Sequence, residues 1–537
     1  NAIPIGDRSG EIIEPLLKNQ WFLDVKEMAN KSLKVVQDGK VKFKPKFWEN
    51  TFYEWMNKIQ PWCISRQIIW GHRIPVWHSD DGRSVAAKDL SMAKEKFLAK
   101  YNEEKELYQE NDVLDTWFSS SLWPFATLGW PEVTSEYKKY FPTSLLVTGF
   151  DIIFFWVARM IMMSLELTGK VPFEVVYIHN LIRDKKGQKM SKTKGNVIDP
   201  LDLITEYGTD ALRFFLSSNI SPHSDIKLSP NSLEPYKNFM NKIWNAAKFI
   251  DLNKEDTQSK LANISFYDAW ISSRFNNLLD RYKTHIDNCE IEKASFELYH
   301  FFWDDFCDWY IEIAKISFSR SKDTFSSHTK IRMRDIFYRY LNLLYPFAPF
   351  IALELKDNFA KDALNKKFTT LPEKLTIKYS GDFDKEVQLI KDFTIGIRSL
   401  RKNLLINPSD KIVCFYNNNN CMEDFLSKNK TLIESLCNLK SFTKVDQDTT
   451  SNLISNLTPS GSVSFLKESD VDFSNQIKKL KKDLVSLERI YNLSESKLKN
   501  NGFLKSAPQH VVKEEKQKAD NVAASIDDIK SLISQLS

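Results

Sequence analysis

Residues 175–213 read VVYIHNLIRDKKGQKMSKTKGNVIDPLDLITEYGTDALR. The segment begins with an apolar run rich in β-branched residues, which predicts a buried strand. A lysine-rich loop follows, with Gly187 and Gly195 as predicted hinges, and Asp199-Pro200 supplies an N-cap residue and a first-turn proline for a helix. A strand, a cationic loop and a helix N-terminus in succession predict a phosphate site at a sheet edge. The alternative is a solvated basic loop, as most lysine-rich loops are.

One pentapeptide in this loop favours the phosphate site. Lys189-Met190-Ser191-Lys192-Thr193 resembles the KMSKS signature of class I aminoacyl-tRNA synthetases, and the surrounding GQKMSKTKGNVIDP extends the match. Thr193 replaces the usual final serine and keeps a hydroxyl. The predicted strand, loop and helix also fall where the motif needs them.

Composition limits the class of protein. The 537 residues carry a net charge of +5, which excludes a histone-like polycation but allows local basic surfaces for a polyanion. The six cysteines show no CxxC pairing, so we expect reduced thiols, a cytoplasmic location and no structural metal. The most apolar run, residues 145–165, is interrupted by Asp151 and Arg159 and is not expected to span a membrane.

Three further blocks extend the resemblance. They are PWCISRQIIWGHRIPVW, DVLDTWFSSSLWPFATLGWP and LLVTGFDIIFFWVARMIMM, and with the loop they match the pattern of the valyl-tRNA synthetase family. In the last two blocks a predicted strand ends in an acid, Asp115 or Asp151, before a helix. Such passages present acids to a ligand at the carboxyl edge of a doubly wound sheet.

The chain is predicted to be multidomain. An α/β Rossmann-like catalytic half precedes an α-helical bundle that the resemblance identifies as anticodon-binding, and a heptad pattern near the end predicts an antiparallel coiled coil. The predicted divisions are residues 1–22, the end of an inserted editing domain; 23–208, the second half of the catalytic domain; 209–404, the helical domain; 405–470, a small α+β appendage; and 471–537, a coiled-coil tRNA-binding arm.

The resemblance implies a valine–tRNA ligase. Its substrates would be valine, ATP with Mg²⁺, and tRNA(Val), and it would act as a monomer without membrane attachment. Lys189 and Lys192 would be catalytic, because charge developing on phosphate is stabilised by placed cations. The implied ATP-binding residues are Lys189, Met190, Ser191, Lys192, Thr193, Asp151 and His179.

The resemblance also implies a valine pocket and a tRNA surface. Family positions for the valine side chain fall on Trp117, Ile152 and Trp156, although Trp156 would be a core residue on periodicity alone. Asp151 either binds the ribose hydroxyls of the adenylate or caps the helix that follows it. The tRNA-binding candidates, which are otherwise solvated cations, are Lys248, Lys478, Lys479, Lys481 and Lys482.

Two alternatives remain open. One is an isoleucine- or leucine-specific relative, which Trp117, Ile152 and Trp156 disfavour. The other is a non-catalytic tRNA-binding protein. The HIGH signature of the family does not occur in these 537 residues, so we expect a C-terminal fragment that lacks most of the editing domain and is inactive alone.

Overall fold

The computed structural model describes residues 3–6, 9–14, 17–190, 195–220, 225–254, 264–319, 326–359, 370–404, 406–418, 422–445, 453–466, 474–500 and 509–536. The chain divides into two compact units, one of residues 1–200 with 219–232 and the other of residues 201–218 with 233–537. The five-part division expected from the sequence stays a prediction.

The first unit mixes short strands and helices. Its strands are β1 (Phe22–Leu23), β2 (Lys42–Lys44), β3 (Trp62–Cys63), β4 (Ser65–Arg66), β5 (Val76–His78), β6 (Ser84–Ala86), β7 (Tyr108–Gln109), β8 (Val113–Leu114), β9 (Thr143–Gly149), β10 (Phe173–His179), β11 (Ile182–Arg183) and β12 (Ile226–Lys227). Its helices are α1 (Lys26–Gln37), α2 (Trp48–Asn57), α3 (Leu90–Tyr101), α4 (Thr116–Ser121), α5 (Trp123–Ala126), α6 (Ser135–Tyr140) and α7 (Arg159–Thr168).

The predicted strand is the centre of a parallel sheet. β10 lies between β2 and β9 and is parallel to both. Phe173, Val176 and Ile178 are buried, as expected of a central strand covered on both faces. The apolar run nevertheless divides after His179, because Ile182 belongs to β11, which pairs with β12 in a separate sheet.

The chain leaves β9 through a helix of changing pitch. A 3₁₀ turn, Phe150–Ile152, leads into a π-helical segment, Ile153–Ala158, and then into α7. Gly169 ends α7 in the left-handed conformation with φ +70°, which favours glycine. Val157, Met160 and Ile161 pack into the core of this unit with Phe43 and Phe52.

Two expectations for the first unit need correction. β8 does not join the parallel sheet that holds β9, because it pairs antiparallel with β4. The polar and charged sequence of residues 79–110 predicts a small helical excursion, but the structure also has strands there. β5 lies between β6 and β7 in an antiparallel sheet, on which α3 packs through Phe97. The surface of this small module is polar, so the hydrophobicity pattern of the sequence did not indicate its strands.

The second unit is mainly helical. Its helices are α8 (Pro200–Tyr207), α9 (Thr209–Asn219), α10 (Glu234–Leu252), α11 (Phe266–Asp287), α12 (Ile291–His300), α13 (Glu312–Ser319), α14 (Ser326–Leu344), α15 (Pro349–Phe359), α16 (Phe383–Asn403), α17 (Glu423–Cys437), α18 (Ser474–Lys499) and α19 (Gln509–Leu536). A second π-helical segment, Phe301–Ile311, joins α12 to α13. The helix predicted to begin at Pro200 is confirmed.

A small sheet and two long helices complete this unit. The sheet has the order β14-β13-β16-β15, with β13 (Ile412–Asn418), β14 (Leu439–Lys444), β15 (Leu453–Thr458) and β16 (Gly461–Leu466). Residues 405–470 therefore contain both helix and strand, as expected. The sequence pattern predicts a strand at residues 412–416 and a helix near residues 423–439, which correspond to β13 and α17, but it does not predict β14, β15 or β16. α18 and α19 run antiparallel, since Lys497 pairs with Glu515 and Lys530 with Glu488.

Some of the described cysteines lie in the core of the second unit. Cys307, Cys414 and Cys437 are buried and form no disulfide. Burial raises the pKa of the Cys307 thiol to about 12 and that of Cys437 to about 11.

Candidate active site

The carboxyl edge of the parallel sheet brings two predicted ATP-binding residues together. His179, the last residue of β10, pairs in register with Gly149, the last residue of β9. A Cβ at Gly149 would lie 2.7 Å from Asp151 Oδ1 and 3.8 Å from His179 Cε1. The absence of a side chain at Gly149 thus leaves room for the Asp151 carboxylate beside the end of β10.

Asp151 and His179 differ in their contacts. Asp151 is exposed, and the turn that contains it begins without a side-chain cap. The capping alternative for Asp151 thus has no hydrogen bond to support it. His179 Nδ1 lies 3.0 Å from the Asn180 carbonyl oxygen. Because a carbonyl only accepts, Nδ1 is the donor, which leaves Nε2 for a ligand.

The lysine loop has a folded base centred on Asp184. Its Oδ1 accepts hydrogen bonds from the backbone N–H groups of Lys186 and Gln188 at 2.9 and 2.7 Å, and its Oδ2 accepts one from Asn196 Nδ2 at 2.8 Å. Gly187 makes the turn with φ +78°. The side chain thus ties both ends of the loop together, a role that its position before five lysines did not reveal.

Lys189 and Met190 begin the signature pentapeptide. Lys189 is exposed and forms an isolated β-bridge with Arg183, whereas Met190 is half-buried. Asn196 Nδ2 also donates to the Lys189 carbonyl oxygen at 3.3 Å. Ser191, Lys192 and Thr193 lie outside the described residues, so their predicted roles rest on the sequence.

We expect the loop base to depend on the ionised form of Asp184. The hydrogen bond from Asn196, together with those from the backbone, lowers the pKa of this carboxyl group. The bonds should be kept in full above the ordinary aspartate pKa of about 3.9 and lost as pH falls through the lower folded-state value. Hydrogen-exchange mass spectrometry should show protection of residues 186–188 that is retained at pH 5 and absent in Asp184→Ala. Equal protection in the variant would contradict this role.

The three predicted valine-binding residues lie on three helical segments, two of which are consecutive along the chain. Trp117 is in the first turn of α4, Ile152 ends the 3₁₀ turn, and Trp156 lies in the π-helical segment. Trp156 Nε1 donates to the Ser120 carbonyl oxygen on α4 at 3.2 Å. All three side chains are half-buried. Half-burial is compatible with a pocket lining as well as with a core edge.

A buried ionic cluster, which sequence reasoning missed, holds α4 in place. Asp115 caps α4 by accepting a hydrogen bond from Trp117 N at 3.4 Å. Its Oδ2 also accepts bonds from Trp62 Nε1 at 2.9 Å and from Arg159 Nη1 at 3.2 Å. The Arg159 guanidinium lies 4.0 Å from the Trp62 ring centroid, and Arg66 forms an ion pair with Asp115 at 3.2 Å. The sequence did contain one signal for this cluster, because Arg159 is a charged residue inside an otherwise apolar run.

Most basic side chains on the helices of the second unit have structural partners. Lys242 pairs with Asp308 at 2.6 Å, Arg274 with Asp305 at 2.8 Å and Arg281 with Glu297 at 2.9 Å. Lys248 is exposed and lies 5.9 Å from the Trp244 ring centroid. Exposed positions are also occupied by Lys478, Lys479, Lys481 and Lys482, all on α18.

The described residues include no group of three or more His, Cys, Asp and Glu side chains placed to hold a metal ion. Of the described helices, none combines the length and apolar character needed to cross a membrane.

Three sequence families match successive parts of the chain. "tRNA synthetases class I (I, L, M and V)" matches residues 8–229, "Anticodon-binding domain of tRNA ligase" matches residues 268–415, and "Valyl tRNA synthetase tRNA binding arm" matches residues 472–537. The matches follow the order of the catalytic, helical and C-terminal regions expected from the sequence.

Similar proteins cover nearly all of the chain. The valine–tRNA ligase of Pelagibacter ubique is 38% identical over 100% of this chain and 62% of its own length. That of Petrotoga mobilis is 40% identical over 95% of this chain and 58% of its own, and that of Thermotoga maritima is 36% identical over 98% and 60%. The chain thus spans about three fifths of the length of these curated relatives.

A solved structure shows the same fold at low identity. Mycobacterium tuberculosis methionyl-tRNA synthetase, in complex with methionyl-adenylate, aligns with a TM-score of 0.52 and 17% identity over 66% of this chain and 65% of that one. The likeness supports a multidomain fold with a Rossmann-like catalytic domain and a helical domain.

Proposed function

We propose that the protein is a valine–tRNA ligase of the class I aminoacyl-tRNA synthetases. The observation that carries the proposal is the whole-chain similarity, at 36–40% identity, to relatives that all bear this activity in their names. The valine carboxylate would attack the ATP α-phosphorus and release pyrophosphate. A ribose hydroxyl of tRNA(Val) would then attack the carbonyl carbon of the adenylate and release AMP.

The residues at the sheet edge fit the first step. Lys189, with Lys192 beyond it in the loop, would stabilise charge on the phosphate oxygens, while Met190, Ser191 and Thr193 complete the ATP-binding loop. His179 would face the adenine, and the exposed carboxylate of Asp151 would bind ribose hydroxyls. Mg²⁺ would accompany ATP and neutralise part of its charge.

The aromatic side chains beside that edge fit a small apolar amino acid. Trp117 on α4 and Trp156 on the π-helical segment are both half-buried, and the hydrogen bond from Trp156 Nε1 to the Ser120 carbonyl oxygen joins the two segments. Ile152 would complete the pocket. Hydrolytic editing by an inserted domain, of which residues 1–22 are expected to be the end, stays a prediction.

The remaining parts of the proposal concern the second unit and the cell. α18 and α19 would form a coiled-coil arm whose Lys478, Lys479, Lys481 and Lys482 contact tRNA phosphates, and Lys248 would do so on the helical domain. We further propose that the protein is a monomer and that it is located in the cytoplasm. The free thiols of the described cysteines support this location.

The deciding experiment is amino-acid-dependent ATP–pyrophosphate exchange by the enzyme expressed from its complete reading frame. Exchange should require valine, and the charged product should be tRNA(Val). Exchange with isoleucine or leucine in place of valine would indicate a relative of different specificity. tRNA binding without exchange for any amino acid would indicate a non-catalytic binding protein.

Replacing either tryptophan should weaken valine selection. Burial of a valine side chain is worth about 1.5–3 kcal/mol, so Trp117→Ala or Trp156→Ala should raise the KM for valine by about tenfold or admit isoleucine. Trp77→Ala, in the separate β5-β6-β7 module, is the matched control. Unchanged kinetics with both amino acids would indicate that Trp117 and Trp156 are core residues that do not contact the amino acid.

A further inference from the structure

A cationic cavity in the second unit is not explained by the packing of the fold. Its volume is about 810 Å³, and it lies where α16 and α17 end beside α18. The lining residues are Arg398, Arg401, Lys402, Ile406, Asn407, Pro408, Leu436, Cys437, Asn438 and Lys479. Four of these are cations, and none is a carboxylate.

Two of the four cations have a structural role. Arg401 is buried and donates to the carbonyl oxygens of Asn407, Asp410 and Asn438 at 2.9–3.0 Å. Its Nε is buried without a hydrogen-bond partner among the described residues. Arg398 Nη2 donates to the Leu436 carbonyl oxygen at 3.3 Å, at the negative end of the α17 dipole.

The other two cations have no such explanation. Lys402 and Lys479 are exposed, and neither forms an ion pair with a described carboxylate. They are contributed by different helices, α16 and α18, to one cavity. Like charges gathered without a counter-ion repel each other, which a bound anion would relieve.

The cavity also offers apolar surface. Ile406, Pro408 and Leu436 lie beside the cations, and the side-chain amides of Asn407 and Asn438 add polar edges. A ribose–phosphate unit combines a charged group with apolar faces and matches this lining better than an inorganic anion, which is charged on all sides.

We propose that this cavity binds the ribose–phosphate backbone of RNA, with Arg398, Lys402 and Lys479 holding the phosphate. The inference rests on the proposed function, because it takes tRNA as the RNA. Lys479 belongs both to the cavity and to the row of exposed lysines on α18. The cavity is therefore the point where an RNA strand following α18 would reach the helical domain.

Binding of tRNA to the purified chain tests this site. Arg398→Gln with Lys402→Gln removes two cations of the cavity that are not on α18. The control, Lys428→Gln with Lys430→Gln, removes two exposed cations of α17 that do not line the cavity. Each lost phosphate contact flattens the dependence of log K on log salt by about 0.7–0.9, so the cavity variant should lose about 1.5 from the slope and the control almost nothing.

A second measurement does not depend on the stability of the variants. Acylation of lysine side chains in the native chain should be suppressed at Lys402 and Lys479 by bound tRNA, and not at Lys428. If the thermal midpoint shows that Arg398→Gln disturbs folding, Lys402→Gln alone should still flatten the slope by about 0.7. Equal losses in the cavity and control variants, or no protection of Lys402, would overturn the proposal.

Failure of the function and failure of the cavity give different results. If the protein is not specific for valine tRNA, tRNA(Val) and a non-cognate tRNA will bind alike, but the cavity variant will still weaken both. If the cavity does not bind RNA, a preference for tRNA(Val) will remain in the cavity variant with its salt slope unchanged.

Discussion

Asp115→Ala should lower the free energy of unfolding of the first unit by about 3–5 kcal/mol, because it leaves a buried guanidinium without its counter-ion. The side chains of Asp115 and Arg159 are only 6% and 10% exposed. Burial already lowers the pKa of Arg159, so its charge is held there at a cost that the carboxylate offsets. The substitution also removes the acceptor of Trp62 Nε1 and the cap of α4. Urea denaturation followed by tryptophan fluorescence measures the loss.

Two further variants separate this cause from a general effect of removing an acid. Asp115→Ala combined with Arg159→Leu should recover part of the stability, since no buried charge is then left unpaired. Asp80→Ala breaks the exposed contact with Lys105 and should change little. A double variant as unstable as the single one would show that the cap and the Trp62 contact matter more than the charge.

Lys192→Ala should reduce valyl-adenylate formation by about two orders of magnitude or more in the enzyme from the complete reading frame. One well-placed donor to developing charge is worth roughly 3–4 kcal/mol, and a cation that acts mainly on the transition state lowers kcat with little change in ATP binding. Single-turnover measurement of adenylate formation tests this most directly. Lys192 lies outside the described residues, so this prediction rests on the sequence signature alone.

Lys186→Ala is the matched control for this prediction. Lys186 is exposed, and only its backbone N–H bonds to Asp184, so the loop base should survive the substitution. We expect a small effect on adenylate formation. Equal effects of the two substitutions would mean that the loop supplies a diffuse positive field and not a placed cation.

Local patterns in the sequence predicted what depends on nearby residues. Neighbouring residues largely determine three such features. They are the β-branched strand before His179, the turn at the glycines of the lysine loop and the helix after Asp199-Pro200. The two helices near the end were each predicted from the apolar spacing within them, and Leu480 and Ile526 are buried. The coiled coil that this spacing indicates stays a prediction.

Features that depend on distant partners were missed. Asp115 meets Trp62 and Arg159, which are 53 and 44 residues away along the chain. No local sequence pattern indicates such a long-range contact. The sequence likewise did not indicate the carboxylate partners of Lys242, Arg274 and Arg281, because each partner lies on a different helical segment.

The buried cysteines of the second unit bear on chemical reactivity. A thiol reacts as its thiolate, and a pKa of about 12 for Cys307 leaves very little thiolate at neutral pH. Cys437, with a pKa of about 11, is similarly protected. Alkylating reagents can then reach these positions only when the helices around them open. The rate of alkylation at each cysteine therefore measures how often the surrounding structure opens. Cys307 reports on the α12–α13 region, and Cys437 reports on the end of α17.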